Sequence, residues 1–284
     1  MSLGVYKGLR RHLRQVWTQL AHRRRSTAHQ GRLPTLPIPY SRILNELQEF
    51  GASVTSLEQL SVPGTMQALA GLDRIFAQTE HLQAKPSEYA VHATQSMIEA
   101  EPEVLRWGLD PGLLALVEHY IGLPVAYRGL TARRECADGK VSGTRMWHRD
   151  DEDAAILKII VYVNDVDLET GPFQYIPSTC APMEWQVPMV ESSRVRDIDM
   201  ERLVLSKFWT PCTGPRGTVV IVDPCRVYHR GVVPKMRDRK AVFFCFNSSE
   251  PLNPQWCKPL FDRENFITNN PLDERQLRAL RYKY

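Results

Sequence analysis

The spacing of apolar residues changes near residue 122. Before it they recur every three or four positions, and after it they alternate or run in short blocks. The first pattern predicts helices over Ser41–Phe50, Thr65–Thr79, Pro86–Glu99 and Pro111–Ile121. Pro86 and Pro111 fit first turns, where a missing N–H costs nothing. The second pattern predicts strands at Val125–Arg133, Thr144–His148, Ile156–Val163, Phe173–Ile176, Thr218–Val222, Val227–His229 and Ala241–Asn247, punctuated by Gly, Pro and Asp. Residues 183–210 form a longer, partly helical insert, and Asp273–Tyr284 reads as a short helix with Asp273 near its start. This order predicts a mainly β fold with flanking helices: a double-stranded β-helix, a jelly roll of the cupin kind, preceded by a helical region.

One strand already shows its two sides. Leu157, Ile159, Val161 and Val163 form a purely apolar face, suited to helices packed outside. Ile156, Lys158, Ile160, Tyr162 and Asn164 form a mixed face, as expected of a pocket wall that meets something polar.

The front of the chain differs from the rest. Residues 4–25 space Leu9, Leu13, Val16 or Trp17, and Leu20 at helical intervals with arginines between them. No Asp or Glu precedes Glu46, whereas residues 1–45 carry Lys7, Arg10, Arg11, Arg14, Arg23, Arg24, Arg25, Arg32 and Arg42. The net charge of +4 therefore divides into a basic arm and a mildly acidic body. Three readings of the arm stand open: peripheral contact with an anionic membrane, an organelle-targeting presequence, or a basic helix that simply packs on the body. Nucleic acid is disfavoured because the acidic body lacks a basic patch with interleaved aromatics. The prolines of LPTLPIPY make residues 33–40 an extended linker. The expected division is an arm over 1–32, the linker, and one unit over 41–284, with a helical part at 41–121, the jelly-roll core at 125–250 and a tail at 251–284.

Composition adds limits. At 43% apolar and 24% charged the chain suits a soluble globular protein, and no apolar run is long enough to span a bilayer. The six cysteines include no CxxC pair and no signal-like apolar segment precedes them. They read as free thiols of a reducing, cytoplasmic compartment, Cys245 as core filler.

The candidate chemistry lies in WHRDDED, residues 147–153. On an extended segment His148 and Asp150 project from one face, with Cα atoms about 7 Å apart. An imidazole nitrogen and a carboxylate oxygen can then converge on one ion. His229, in GTVVIVDPCRVYHRG, is the candidate third ligand. Two histidines and one carboxylate with other positions open form the facial triad of non-haem Fe(II) oxygenases. Asp151, Glu152 and Asp153 read as a solvated turn. Arg239, just before the strand AVFFCF, suits a bidentate grip on a carboxylate, with Arg237 its rival. A divalent-metal hydrolase with the same ligands and a non-catalytic jelly-roll binding protein are the competing readings.

HRD, LKIIVYVNDVDLETGPFQYIPST, GTVVIVDPCRVYHRG and RDRKAVFFCF, taken in order, resemble the Fe(II)/2-oxoglutarate-dependent dioxygenases of the phytanoyl-CoA hydroxylase type over residues 125–247. The resemblance implies His148, Asp150 and His229 as iron ligands and Arg239 as the partner of the far carboxylate of 2-oxoglutarate. It implies hydroxylation of a small-molecule, lipid or sugar-type substrate with O2, releasing succinate and CO2, with ascorbate as a supporting reductant. Retention of Asp150 favours hydroxylation over halogenation. Two departures stand out: Gly231 where the family often has Ser or Thr, and Pro177-Ser178-Thr179-Cys180 where it has PGSH. Lys158, Tyr162 and Gln174 are the candidates to share the cosubstrate contacts. Residues 128–134 and the 183–210 insert are expected to meet the substrate.

Overall fold

The computed structural model describes residues 3–183, 186–188 and 194–283, and in the first helix the side chains of residue 13 and of residues 16 onward. The helical half contains α1 (Leu3–His29), α2 (Tyr40–Phe50), α3 (Leu57–Leu60), α4 (Thr65–Thr79), α5 (Gln95–Glu99), α6 (Pro102–Trp107) and α7 (Pro111–Ile121), interrupted by strands β1 (Ala52–Ser56) and β2 (Ala90–His92). Then follow β3 (Val125–Glu135), β4 (Leu157–Tyr162), β5 (Phe173–Ile176), α8 (Asp197–Glu201), β6 (Thr210–Cys212), β7 (Thr218–Val222), β8 (Tyr228–Gly231), β9 (Arg239–Ser248), α9 (Arg263–Asn269) and α10 (Glu274–Leu280).

Local signals set several boundaries. Asp110 caps α7 by accepting from the N–H groups of Gly112 and Leu113, with Pro111 in the first turn. Asp273 and Gln276 form a reciprocal capping box on α10. Gly51 ends α2 in the left-handed conformation, where a side chain would be strained.

The strands form two antiparallel sheets, a six-stranded one in the order β1-β7-β4-β9-β3-β2 and a three-stranded one in the order β6-β5-β8. The large sheet's outer face, including Leu157, Ile159, Val161 and Val163, packs with Ile43, Leu72, Leu105 and Leu116 of the helices. Its inner face, including Ile160, Tyr162, Phe243 and Cys245, meets Phe173 and Tyr175 of the small sheet. The fold is thus a jelly roll buttressed by helices, and β4 presents the two faces expected of it. All six cysteines are free thiols.

Three expectations change. Pro86–Glu99 is not one helix: Ala90, Val91 and His92 pair with Glu135, Arg134 and Arg133, and Thr94 then caps the new helix α5. Backbone pairing at the sheet edge outweighs the helical spacing. Thr144–His148 begins as a 3-10 turn, Gly143–Arg145, and only Trp147 and His148 pair as extended chain. Residues 151–153 are not a solvated turn, since only Asp151 is exposed. Asp153 is buried and accepts from the Ser248 hydroxyl (2.6 Å), the Ser248 N–H (3.1 Å), the Leu252 N–H (3.2 Å) and the Ala154 N–H (2.8 Å).

The far end of α1 is tied to the body through Arg25–Glu250 and His29–Glu118, at 2.9 and 2.8 Å. Earlier in the same helix Leu13, Val16, Trp17 and Leu20 are exposed, Trp17 by 72%. Among the described residues no helix is long and apolar enough to cross a membrane.

Removing the Asp153 carboxylate breaks four hydrogen bonds, two of them to buried Ser248. Asp153→Ala is expected to lower unfolding free energy by about 2–4 kcal/mol. Urea denaturation measures it, and an unchanged midpoint would refute a structural role for this carboxylate.

Candidate metal centre

The site begins with a backbone contact. His148 and His229 exchange both N–H···O bonds, at 3.1 and 2.9 Å, which adds residues 147–148 to the small sheet beside β8. Directly opposed residues project from the same face, and the two rings lie 4.1 Å apart between centroids. The Asp150 N–H donates to Pro224 O at 2.9 Å, which draws the Asp150 backbone to the turn before β8. That turn is held in its place by Asp223, which accepts from the Tyr120 hydroxyl and the Cys225 N–H.

The backbone also sets the tautomers. Nδ1 of His148 faces Met146 O at 2.8 Å, and Nδ1 of His229 faces Val227 O at 3.2 Å. A carbonyl only accepts, so each Nδ1 carries the proton and each Nε2 keeps a free lone pair. Both Nε2 atoms approach Asp150 Oδ1, at 3.6 and 3.9 Å. One donor atom from each residue lies within 4.8 Å of the other two. This donor set suits a divalent first-row transition metal with positions left open to ligands.

Lys158 reaches this group from β4. Its Nζ donates to Asp150 Oδ2 at 2.5 Å, so the two carboxylate oxygens have different partners. Burial would raise the pKa of Asp150, but Lys158 and the two histidines outweigh it and hold the carboxyl below its usual range. Burial lowers that of Lys158, but Asp150 and Glu152 reverse this and keep it protonated. Glu152 is mostly buried next to Lys158 and Arg128, and burial raises its pKa. Burial lowers His148 well below 6.5 and His229 to about 4, and the Asp150 charge reverses only part of this.

Arg239 sits at the start of β9, 1% exposed. It donates to Gly171 O and pairs at 2.6 Å with Glu135, itself 1% exposed. Arg133 and Arg145 approach the same carboxylate at 2.9 and 3.7 Å. Burial pushes the Glu135 carboxyl up, but the three arginines outweigh it and hold it at about 2. This cluster explains Gly231: a Cβ there would lie 2.8 Å from Arg239 Nη2 and 3.2 Å from Glu135 Oε2. Arg237 instead pairs with Asp167 on the surface, both side chains more than half exposed.

The other two candidates are placed differently. The buried Tyr162 hydroxyl donates to Cys212 O at 2.8 Å and accepts from the Phe173 N–H at 3.0 Å. Gln174 lies on the opposite face of β5 from Phe173, which stacks on His229, and its Oε1 accepts from Arg230. Gln174 therefore does not line the pocket expected from the sequence. Its place is set by the β5–β8 register, in which it opposes Arg230 rather than His229. Sequence reading missed Glu135 and Glu152. Glu135 alternates with Arg133 along β3, and this inward charge pattern was the available signal.

The sequence matches no protein-family model, and no curated protein matches it. Solved structures share the fold. The apo form of EctD from S. alaskensis superposes with a TM-score of 0.55 at 16% identity, covering 80% of this chain and 86% of that one. The epimerase SnoN, in complex with Fe3+, alpha ketoglutarate and nogalamycin RO, gives 0.52 at 16% identity over 81% and 89%. SnoK, a non-heme alpha ketoglutarate dependent carbocyclase, gives 0.51 at 14% identity over 86% and 98%. At such identities the likeness is one of fold: the chain has the jelly roll used by these enzymes.

Because both histidines are neutral in the fold, the unfolded chain takes up protons first as pH falls. Stability of the metal-free protein is expected to decrease as pH drops from about 6.5 to about 4. Unfolding curves across that window for wild type and His229→Asn test this: the variant loses part of the slope, and identical slopes would refute the assignment.

Proposed function

We propose that the protein is a non-haem Fe(II)- and 2-oxoglutarate-dependent dioxygenase of the phytanoyl-CoA hydroxylase type, acting on a small molecule. The carrying observation is that two unprotonated Nε2 atoms and one Asp150 oxygen converge in a buried site within a jelly roll. The nitrogen and oxygen donors fit Fe(II). Bound iron and 2-oxoglutarate together supply oxygen activation, with succinate and CO2 as the cosubstrate's products.

The chain's own residues do the rest. His148, Asp150 and His229 hold the metal, and the Nδ1 bonds to Met146 O and Val227 O keep both rings aimed. Lys158 holds Asp150 Oδ2 and leaves Oδ1 to the metal. Arg239 takes the far carboxylate of 2-oxoglutarate, with Arg133 and Arg145 beside it, because Glu135 and Asp138 supply two negative charges to these three arginines and leave one positive charge in excess. Tyr162 orders the wall beside them. Asp150 would supply a carboxylate ligand to the metal, which favours hydroxylation over halogenation. The buried Arg239 suits a cosubstrate carboxylate, which favours this reading over a hydrolase with the same ligands.

Oxygen-dependent succinate formation from 2-oxoglutarate, with Fe(II) and ascorbate, is the expected activity. His229→Ala abolishes it, and Arg239→Gln raises the KM for 2-oxoglutarate roughly 10- to 100-fold, from the loss of charge-assisted hydrogen bonds. Succinate formation unaffected by either change would refute the assignment.

The exposed stripe of α1 supports peripheral contact with an anionic membrane, since it lies in a segment with nine cations and no acidic residue. Trp17 fluorescence is expected to respond to phosphatidylserine vesicles, less so at high salt, and not to phosphatidylcholine alone. Equal response to both lipids, or self-association without lipid binding, would refute this contact.

A further inference from the structure

Residues 194–196 run beside the metal-site strand on the side away from β8. Trp147 and Val195 exchange both backbone hydrogen bonds, at 3.1 and 2.8 Å. Their side chains lie in one apolar cluster with Ile176 and Tyr228, on the outer face of the small sheet. Neighbours along extended chain alternate in direction, so Arg194, opposite His148 in this antiparallel register, belongs on the inner face. The electrostatics agree: the charge of Arg194 acts on both His148 and His229.

Arg194 differs from the cations around the site that are paired with carboxylates. Arg128 approaches Glu152, Lys158 pairs with Asp150, and Arg133, Arg145 and Arg239 share Glu135. Outside the pocket Arg196 and Arg202 share Asp199, and Arg230 pairs with Asp197. Arg194 is half-buried and, among the described residues, has no carboxylate. A half-buried guanidinium beside a metal site is desolvated and repelled by the cation, and an anion placed between the two offsets both costs. Arg239 stands against Gly231 of β8, while Arg194 stands on the other side of His148. The site therefore has one cation suited to the cosubstrate and a second on its opposite flank.

We propose that Arg194 anchors an oxyanionic group of the substrate, a carboxylate or a phosphate, so that the enzyme's substrates are anionic. This rests on the dioxygenase reading above. Arg194 would hold the anion, and the rest of the substrate would extend toward the group formed by His148, Asp150 and His229.

Calorimetric titration of inorganic phosphate and of acetate into protein loaded with Mn(II) and 2-oxoglutarate tests it without turnover. Wild type is expected to bind at least one of these probes, and the stronger one identifies the oxyanion. Arg194→Gln should weaken it roughly tenfold, Arg194→Lys should retain part of it, and the surface variant Arg237→Gln should bind as wild type does. Thermal melts confirm that each variant is folded. Absence of anion binding by wild type, or equal affinity in wild type and Arg194→Gln, overturns the proposal. So does displacement of the anion by 2-oxoglutarate, which would assign Arg194 to the cosubstrate. Failure of the dioxygenase reading is visible separately, as failure of wild type to bind Mn(II) and 2-oxoglutarate. The anion titrations are then read on the metal-free protein, where binding that depends on Arg194 would uphold the anion site without the enzyme.

Discussion

The reciprocal backbone bond between His148 and His229 is the contact on which the site depends. It brings residues from two distant stretches into direct opposition, and the antiparallel register makes both imidazoles face inward. A shift of one residue would turn one ring to the outer face, where Trp147 and Tyr228 now pack. The same register sets the positions of Asp150, Arg194 and Gly231. Helices do not supply any of these groups. Their part is to cover the outer face of the large sheet, so that its inner face is left to meet the small sheet.

Charge balance is the second constraint. Buried charges are tolerated when each has a partner, and the inner faces of the sheets show this at two places. Lys158 and Asp150 hold each other ionised, although burial opposes the charge on both. At the other place three arginines gather on Glu135, and only a glycine at 231 leaves room for them. The glycine at 231 is thus coupled to a carboxylate a long way back in the chain. Replacing either one alone would leave a clash or an uncompensated cation.

Several elements were legible because their signals are local. Thr65–Thr79 and Phe173–Ile176 were read with the observed boundaries, and the two faces of β4 followed from strict alternation. Asp273 marked the start of α10 through its capping chemistry. The helix expected at Pro86–Glu99 failed because Ala90–His92 finds a partner in β3, which no local signal encodes. Asp151–Asp153 looked like surface because acidic residues usually are. Yet Asp153 is buried by its bonds to Ser248 and Leu252, and Glu152 by its neighbours Lys158 and Arg128.

The sequence by itself determined which residue types could gather: HxD on extended chain, a later histidine ahead of a strand, and arginines among apolar positions. These follow from spacing along one strand, and spacing is a property of the chain alone. Only the tertiary structure decided which way each group faces and what neutralises it. It placed Arg239 inside and Arg237 outside, turned Gln174 away from His229, paired Glu135 with three cations and, among the described residues, left Arg194 without an acid. The physical reason is that register between strands far apart in sequence sets facing, and the electrostatic environment of a side chain is the sum of groups that only folding brings near.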